Sequence, residues 1–206
     1  MSRIIPIIDN GHGWDTAGKR SPDGSLLEYK WNREVARRVA ERLEAEDYDA
    51  VLLVPEEKDI ALTTRVKRVN MLCAKYGSAN CLLVSVHCNA AGNGDKWHND
   101  VTGISFWTSE GQTKGDLLAD CLYEVAVPLC AKHDKKILTQ RYKDGDADYE
   151  RNFTVLAKTK CAACLVENWF MDNEHDVKWL LSDEGKQTAV DILEGGIKLY
   201  IERYGK

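Results

Sequence analysis

Short apolar runs alternate with longer stretches of helical periodicity along the chain, and this alternation constrains the fold more than any other feature. Residues 3–9, 49–54, 81–87, 103–108, 153–157 and 161–167 read as strands. Residues 25–46 carry Leu27, Trp31, Val35, Val39 and Leu43 at helical spacing, and residues 61–76 carry Leu62, Val66, Val69 and Leu72. Further helices are expected over 113–132, with Pro128 near its end as a kink point, and over 174–181 and 184–203. Strands separated by helices imply a single-domain α/β fold, with a mostly parallel twisted sheet and helices on both faces. In such sheets ligands sit beyond the carboxyl ends of the strands. The loops at 10–25, 88–102 and 139–152 are polar and rich in Gly, Asn or Asp, so they are the ones expected to carry function.

Composition excludes some partners. The net charge of −5 offers no general attraction to nucleic acid or to anionic membranes. No apolar stretch approaches the roughly 20 residues needed to span a bilayer. We therefore expect no nucleic-acid partner and no membrane insertion. The first residues lack the apolar run and small-residue cleavage site of a signal peptide, so synthesis in the cytoplasm is expected. The seven cysteines follow no disulfide framework and are expected to be reduced and mostly buried. Cys161 and Cys164 have C-x-x-C spacing, but residues three apart on a strand point to opposite faces.

The turn after the first strand, Asp9-Asn-Gly-His-Gly13, allows two chemistries. Gly13 to Lys19 fits G-x-x-x-x-G-K, yet Arg20 stands where a phosphate loop needs Ser or Thr. Ser21-Pro-Asp-Gly24 also delays the helix whose N-terminus should face the phosphate. The other chemistry is a metal site. A catalytic zinc has three protein ligands and an open position. His12, His87 and one carboxylate are the candidates, the two histidines lying at strand ends on one edge of the sheet. Glu28 has two readings. Ser25-Leu-Leu-Glu28 is a capping box, which accounts for the carboxylate without a metal. A helix beside the first strand would also bring Glu28 towards His12, and the residues alone leave both open. Glu167 ends an apolar strand, where a carboxylate is costly unless paired or put to work. It is either a structural partner for Arg or backbone amides, or a general base whose pKa burial has raised.

Four segments together resemble the zinc-dependent N-acetylmuramoyl-L-alanine amidases of bacterial cell walls and phage lysins. They are Asp9-Asn-Gly-His-Gly13, Glu28, Ser85-Val-His-Cys-Asn-Ala90 and Leu165-Val-Glu-Asn-Trp-Phe-Met-Asp-Asn173, in that order over nearly the whole chain. The Arg65…Asn70 helix and Asn152-Phe-Thr-Val-Leu156 add to the likeness. Trp14 departs from it, standing where a second Gly often follows, and the 92–100 loop is elaborate.

The resemblance implies that His12, Glu28 and His87 hold Zn²⁺ and that Glu167 is the catalytic carboxylate. It implies hydrolysis of the amide between the muramoyl lactyl group and L-alanine of peptidoglycan. Asp9 is expected either to orient a histidine ligand or to hold the turn. Asn89, Arg141 and Trp169, with Trp97, Trp107 and Tyr142, are substrate-groove candidates. Other readings are a zinc peptidase or deacetylase acting on a different amide, and a non-catalytic wall-binding module. We expect residues 1–206 to be one catalytic domain without a separate wall-binding domain, monomeric, and reaching the wall as a phage or prophage lysin.

Overall fold

The computed structural model describes residues 4–140 and 145–205. Six strands form one sheet: β1 (Ile5–Asn10), β2 (Val51–Leu52), β3 (Cys81–Asn89), β4 (Ser105–Thr108), β5 (Tyr149–Glu150) and β6 (Ala162–Phe170), in the order β2-β1-β3-β6-β4-β5. The pairs β1/β2, β1/β3, β3/β6 and β4/β5 are parallel, while β4 runs antiparallel to β6. The central strands β1, β3 and β6 are almost continuously apolar, as strands covered on both faces must be.

Among the described residues six α-helices cover the sheet: α1 (Glu28–Ala45), α2 (Leu62–Tyr76), α3 (Lys114–Lys132), α4 (Thr154–Ala157), α5 (Glu174–Leu181) and α6 (Asp183–Tyr204). One face carries α1, α3, α5 and α6, whose apolar stripes pack on Ile8, Val84, Val86 and Val166. The opposite face carries α2 and α4, packed on Ile7, Leu83, Ala163 and Leu165. Alternation along each strand thus sorts its residues between two cores. Cys164 lies in the first core and Cys161 packs against the second, on opposite faces as expected.

Three expectations need correction. Residues 153–157 are not a strand. Thr154–Ala157 is a single helical turn in which Val155 and Leu156 are buried. A five-residue apolar run does not distinguish the two structures by periodicity. Helix α2 buries Arg65, Val69 and Cys73, whereas Leu62 is 51% exposed. Val69 is buried and Leu72 packs on the core as expected, but the inward stripe is turned to include a paired arginine in place of Leu62. The capping box at Ser25 does not form either. Helix α1 starts at Glu28 after Leu27 with no side-chain cap, and the Ser25 hydroxyl donates to Asp23 Oδ1 at 2.8 Å. The Glu28 carboxylate is therefore free of any capping role.

Candidate metal centre

The β1, β3 and β6 strands deliver Asp9, Ser85, His87 and Glu167 to the face that α2 covers. In register, Asp9 lies opposite Ser85, and His87 lies opposite Glu167. His12 follows β1 on a turn and has φ of 62°, a left-handed conformation uncommon for a side-chain-bearing residue. Glycines on either side permit the turn. A Cβ on Gly11 would lie 2.1 Å from His87 Cε1, and one on Gly13 would lie 1.9 Å from the Asp59 backbone nitrogen. Glu28 arrives from the opposite face, at the first turn of α1, and reaches over the end of the sheet.

His12, Glu28 and His87 each offer a ligand atom within 4.8 Å of the other two. Among the described residues no other such group of three converges. Glu28 Oε1 lies 3.3 Å from His87 Nδ1 and 3.5 Å from His12 Nε2. It also accepts from the Cys88 amide at 3.1 Å and from Asn32 Nδ2 at 3.4 Å. Glu28 Oε2 is buried and has no hydrogen-bond partner among the described residues. Leaving a buried carboxylate oxygen without a donor is costly, and a cation held by this group would satisfy it. Two imidazoles and one carboxylate are the donor set of a catalytic zinc site.

Electrostatics suit the same use. Burial pushes His12 down to about 4, beyond the opposing pull of Glu28, so its imidazole is neutral and able to ligate at neutral pH. Burial would raise Glu28, but the His87 hydrogen bond and the His12 charge bring it down to about 2. Burial opposes charge on His87, yet its bond to Glu28 and the charges of Glu167 and Glu28 raise it overall. Glu167 goes the other way. Burial lifts it to about 7, Glu28 adds to the rise and His87 opposes it. Glu167 Oε2 is also buried without a hydrogen-bond partner among the described residues.

A cleft of about 680 Å³ opens over these groups, and His12, His87 and Glu167 line it together with Lys19, Arg151 and Phe153. Lys19, Arg151 and Phe153 were not anticipated as site residues. Lys19 and Arg151 lie in the polar loops at 10–25 and 139–152, and Phe153 begins the segment read as a strand, none of which says which side chains turn inward.

Among the described residues Asp9 makes no hydrogen bond to a histidine side chain, and it reaches the turn through an arginine. It is ion-paired with Arg65 Nη1 and accepts from Ser85 Oγ at 2.7 Å. Arg65 in turn donates to Asn10 O at 2.8 Å, to Asp59 Oδ1 at 2.9 Å and to His12 O at 3.5 Å. Asp9 therefore acts on the His12 turn through Arg65. Trp169 is not a groove residue. It is fully buried in the first core, 5.9 Å from the Trp179 ring. A register shift leaves Asn89 opposite Phe170, and Trp169 at φ 52° turns to the face opposite Glu167. Asn89 accepts from the Ala90 amide, and neither Asn89, Trp97 nor Trp107 lines the cleft. Trp107 instead backs Phe153, with ring centroids 5.6 Å apart. Arg141 and Tyr142 lie outside the described residues. The loop read against a phosphate site turns repeatedly and reaches no helix before Glu28.

A family model described as N-acetylmuramoyl-L-alanine amidase matches residues 7–198. The curated protein YqiI of Bacillus subtilis, described as uncharacterized, is 25% identical over 201 residues, covering 95% of this chain and 84% of its own length. An N-acetylmuramoyl-L-alanine amidase from Clostridium difficile 630 superposes with a TM-score of 0.79 at 22% identity, over 98% of both chains. The amidase AmiC2 of Nostoc punctiforme gives a TM-score of 0.79 at 24% identity, over 97% of this chain and 98% of its own.

Proposed function

This chain belongs to the N-acetylmuramoyl-L-alanine amidase family, a family of peptidoglycan amide hydrolases, and on that premise we propose that His12, Glu28 and His87 hold Zn²⁺ and that Glu167 is its general acid–base. The bond cleaved joins the lactyl carbonyl of N-acetylmuramic acid to the nitrogen of L-alanine in the stem peptide. The observation that carries the reading is the buried triad, with its unpartnered Glu28 oxygen, beside a second carboxylate poised near neutrality.

Zinc, when bound, supplies Lewis acidity, which acidifies water and polarises the carbonyl. The rest falls to the chain. Glu167 takes a proton from the attacking water and hands it to the departing amine nitrogen, and a carboxyl balanced near pH 7 suits both transfers. Glu28 stays ionised and keeps the histidines in place. Arg65, tied to Asp9, fixes the carbonyls of the turn that presents His12.

The reaction takes place on the wall, and we place the enzyme there as a monomer released by lysis. No helix among the described residues is long and apolar enough to cross a membrane. Sedimentation of the pure protein tests the monomer, and fractionation of an intact producing culture tests the release.

The deciding experiment measures bound zinc and newly exposed L-alanine amino termini on wild type and Glu167→Ala. Stoichiometric zinc in both, with amino termini released by wild type alone, is expected. Zinc without new L-alanine termini would move the assignment to another amide. Failure to bind zinc would overturn the metal centre.

A further inference from the structure

Beside the cleft lies a second groove of about 470 Å³, lined by Trp14, Asp15, Thr16, Lys19, Arg20 and Tyr29 among others. Thr16 and Lys19 line both spaces, so the two join at the loop leaving His12. Trp14 is 62% exposed, a large apolar surface to leave in water two residues from a metal ligand. Its loop is anchored. The Trp14 amide donates to Glu57 O at 3.1 Å, and Asp15 Oδ1 accepts from the Asp59 amide at 2.8 Å. The indole is thus carried on a fixed backbone. Lys19 is also fixed by its backbone, whose carbonyl accepts from the Glu28 amide at 3.1 Å.

The substrate of the proposed reaction has two arms of different chemistry meeting at the scissile bond. One is a pyranose with an apolar C–H face and a rim of hydroxyls. The other is a peptide with free carboxylates. Two joined grooves beside the triad match two arms, and their linings differ accordingly. The main cleft has the apolar walls Ile60, Leu62 and Phe153 and the Arg151 guanidinium, which suit peptide side chains and a carboxylate. The side groove has the exposed indole and the Tyr29 ring, with Thr16, Asp15 and Arg20 as hydrogen-bonding groups. An aromatic face carries a negative quadrupole that attracts polarised C–H bonds, so it favours the flat face of a sugar.

We propose that the Trp14–Tyr29 groove is the saccharide subsite, seating the muramoyl pyranose on the Trp14 indole with Lys19 at the seam binding the lactyl carboxyl oxygen. This rests on the amidase reading above, and it makes Trp14 and Lys19 specificity-determining residues. The charge of Lys19 reaches His12, Glu28 and Glu167, which agrees with a place beside the scissile bond.

The test titrates zinc-loaded protein with N-acetylmuramic acid and, separately, with a stem peptide beginning at L-alanine, followed by calorimetry. Trp14→Ala is expected to weaken the sugar about ten-fold, and Trp14→Phe to recover most of that loss. Lys19→Ala is expected to weaken the sugar acid and to flatten its salt dependence. Neither Trp14 variant changes peptide binding. With a muropeptide substrate, Trp14→Ala raises KM by a similar factor and leaves kcat near the wild-type value. Circular dichroism checks that each variant is folded. Unchanged sugar binding in Trp14→Ala, or equal loss of sugar and peptide, would overturn the subsite. A wild type that cleaves no muropeptide would sink the amidase reading itself, a result distinct from cleavage that Trp14→Ala leaves untouched.

Discussion

As the proposed general base, Glu167 should set the acid limb of activity. A base must be ionised to accept a proton, and burial holds this carboxyl up at about 7. Activity is expected to fall about ten-fold per pH unit below the pKa this carboxyl has with metal bound. A cation at the triad favours the ionised form, so the zinc enzyme should show its limb at or below neutrality. Profiles of kcat/KM against pH on wild type and Glu167→Gln check this. The variant should lose about 10³-fold and show no limb, and a wild-type profile flat down to about pH 5 would remove Glu167 from the chemistry. Gly11 makes a second prediction at this scale. The Cβ of Gly11→Ala would overlap the His87 ring, which has to move. Zinc content measured after dialysis should then drop although no ligand has been replaced, and full retention of metal would refute the steric argument.

At the scale of the element, α2 works as a clamp on the site through its inward arginine. Asp9 and Arg65 are almost wholly buried and paired, and removing one partner leaves the other as an isolated charge. Arg65→Ala is expected to cost about 3–5 kcal/mol in urea unfolding, with metal affinity falling as well because the His12 turn loses its brace. A loss under about 1 kcal/mol would mean that the pair is dispensable. The same helix shows where the sequence was readable. The strands β1, β3 and β6, and His12, His87 and Glu167 at one edge of the sheet, could be read from apolar runs ending in ligand-type residues, whereas the two-residue β5 lay in a stretch read as loop. Arg65 could not, because an arginine on an inward face looks like a phase error in the periodicity. Residues 153–157 were ambiguous because one helical turn and one short strand use the same apolar letters. Trp169 was misplaced because its side depends on a register shift and a positive φ that the residue type does not announce. Ser25-x-x-Glu28 matched a capping box, but a tertiary contact took the carboxylate instead.

For the whole molecule, the site joins both layers: Glu28 comes from the helix on one face, while His87 and Glu167 point to the other. Zinc should therefore stiffen the molecule as well as complete its chemistry. Metal bound at about a thousand times its dissociation constant contributes about 4 kcal/mol, so a chelator should lower the melting temperature by roughly 10 °C. Added zinc should restore it. His12→Ala should melt at the same temperature with and without chelator, and a chelator effect of equal size in that variant would place the stabilising metal elsewhere.

The order of the strands has a temporal consequence. Strand β6 brings Glu167 and lies between β3 and β4, both of which leave the ribosome before it. Until residues 162–170 have been made, β3 and β4 have no direct partner in each other, and the middle of the sheet is missing. The earlier strands cannot close up without it, and late, distant pairings of this kind are slow to form. A chain that ends before β6 thus holds His12, Glu28 and His87 and lacks Glu167, the proposed general acid–base. Wall-cleaving activity is therefore expected only once β6 has been made and paired.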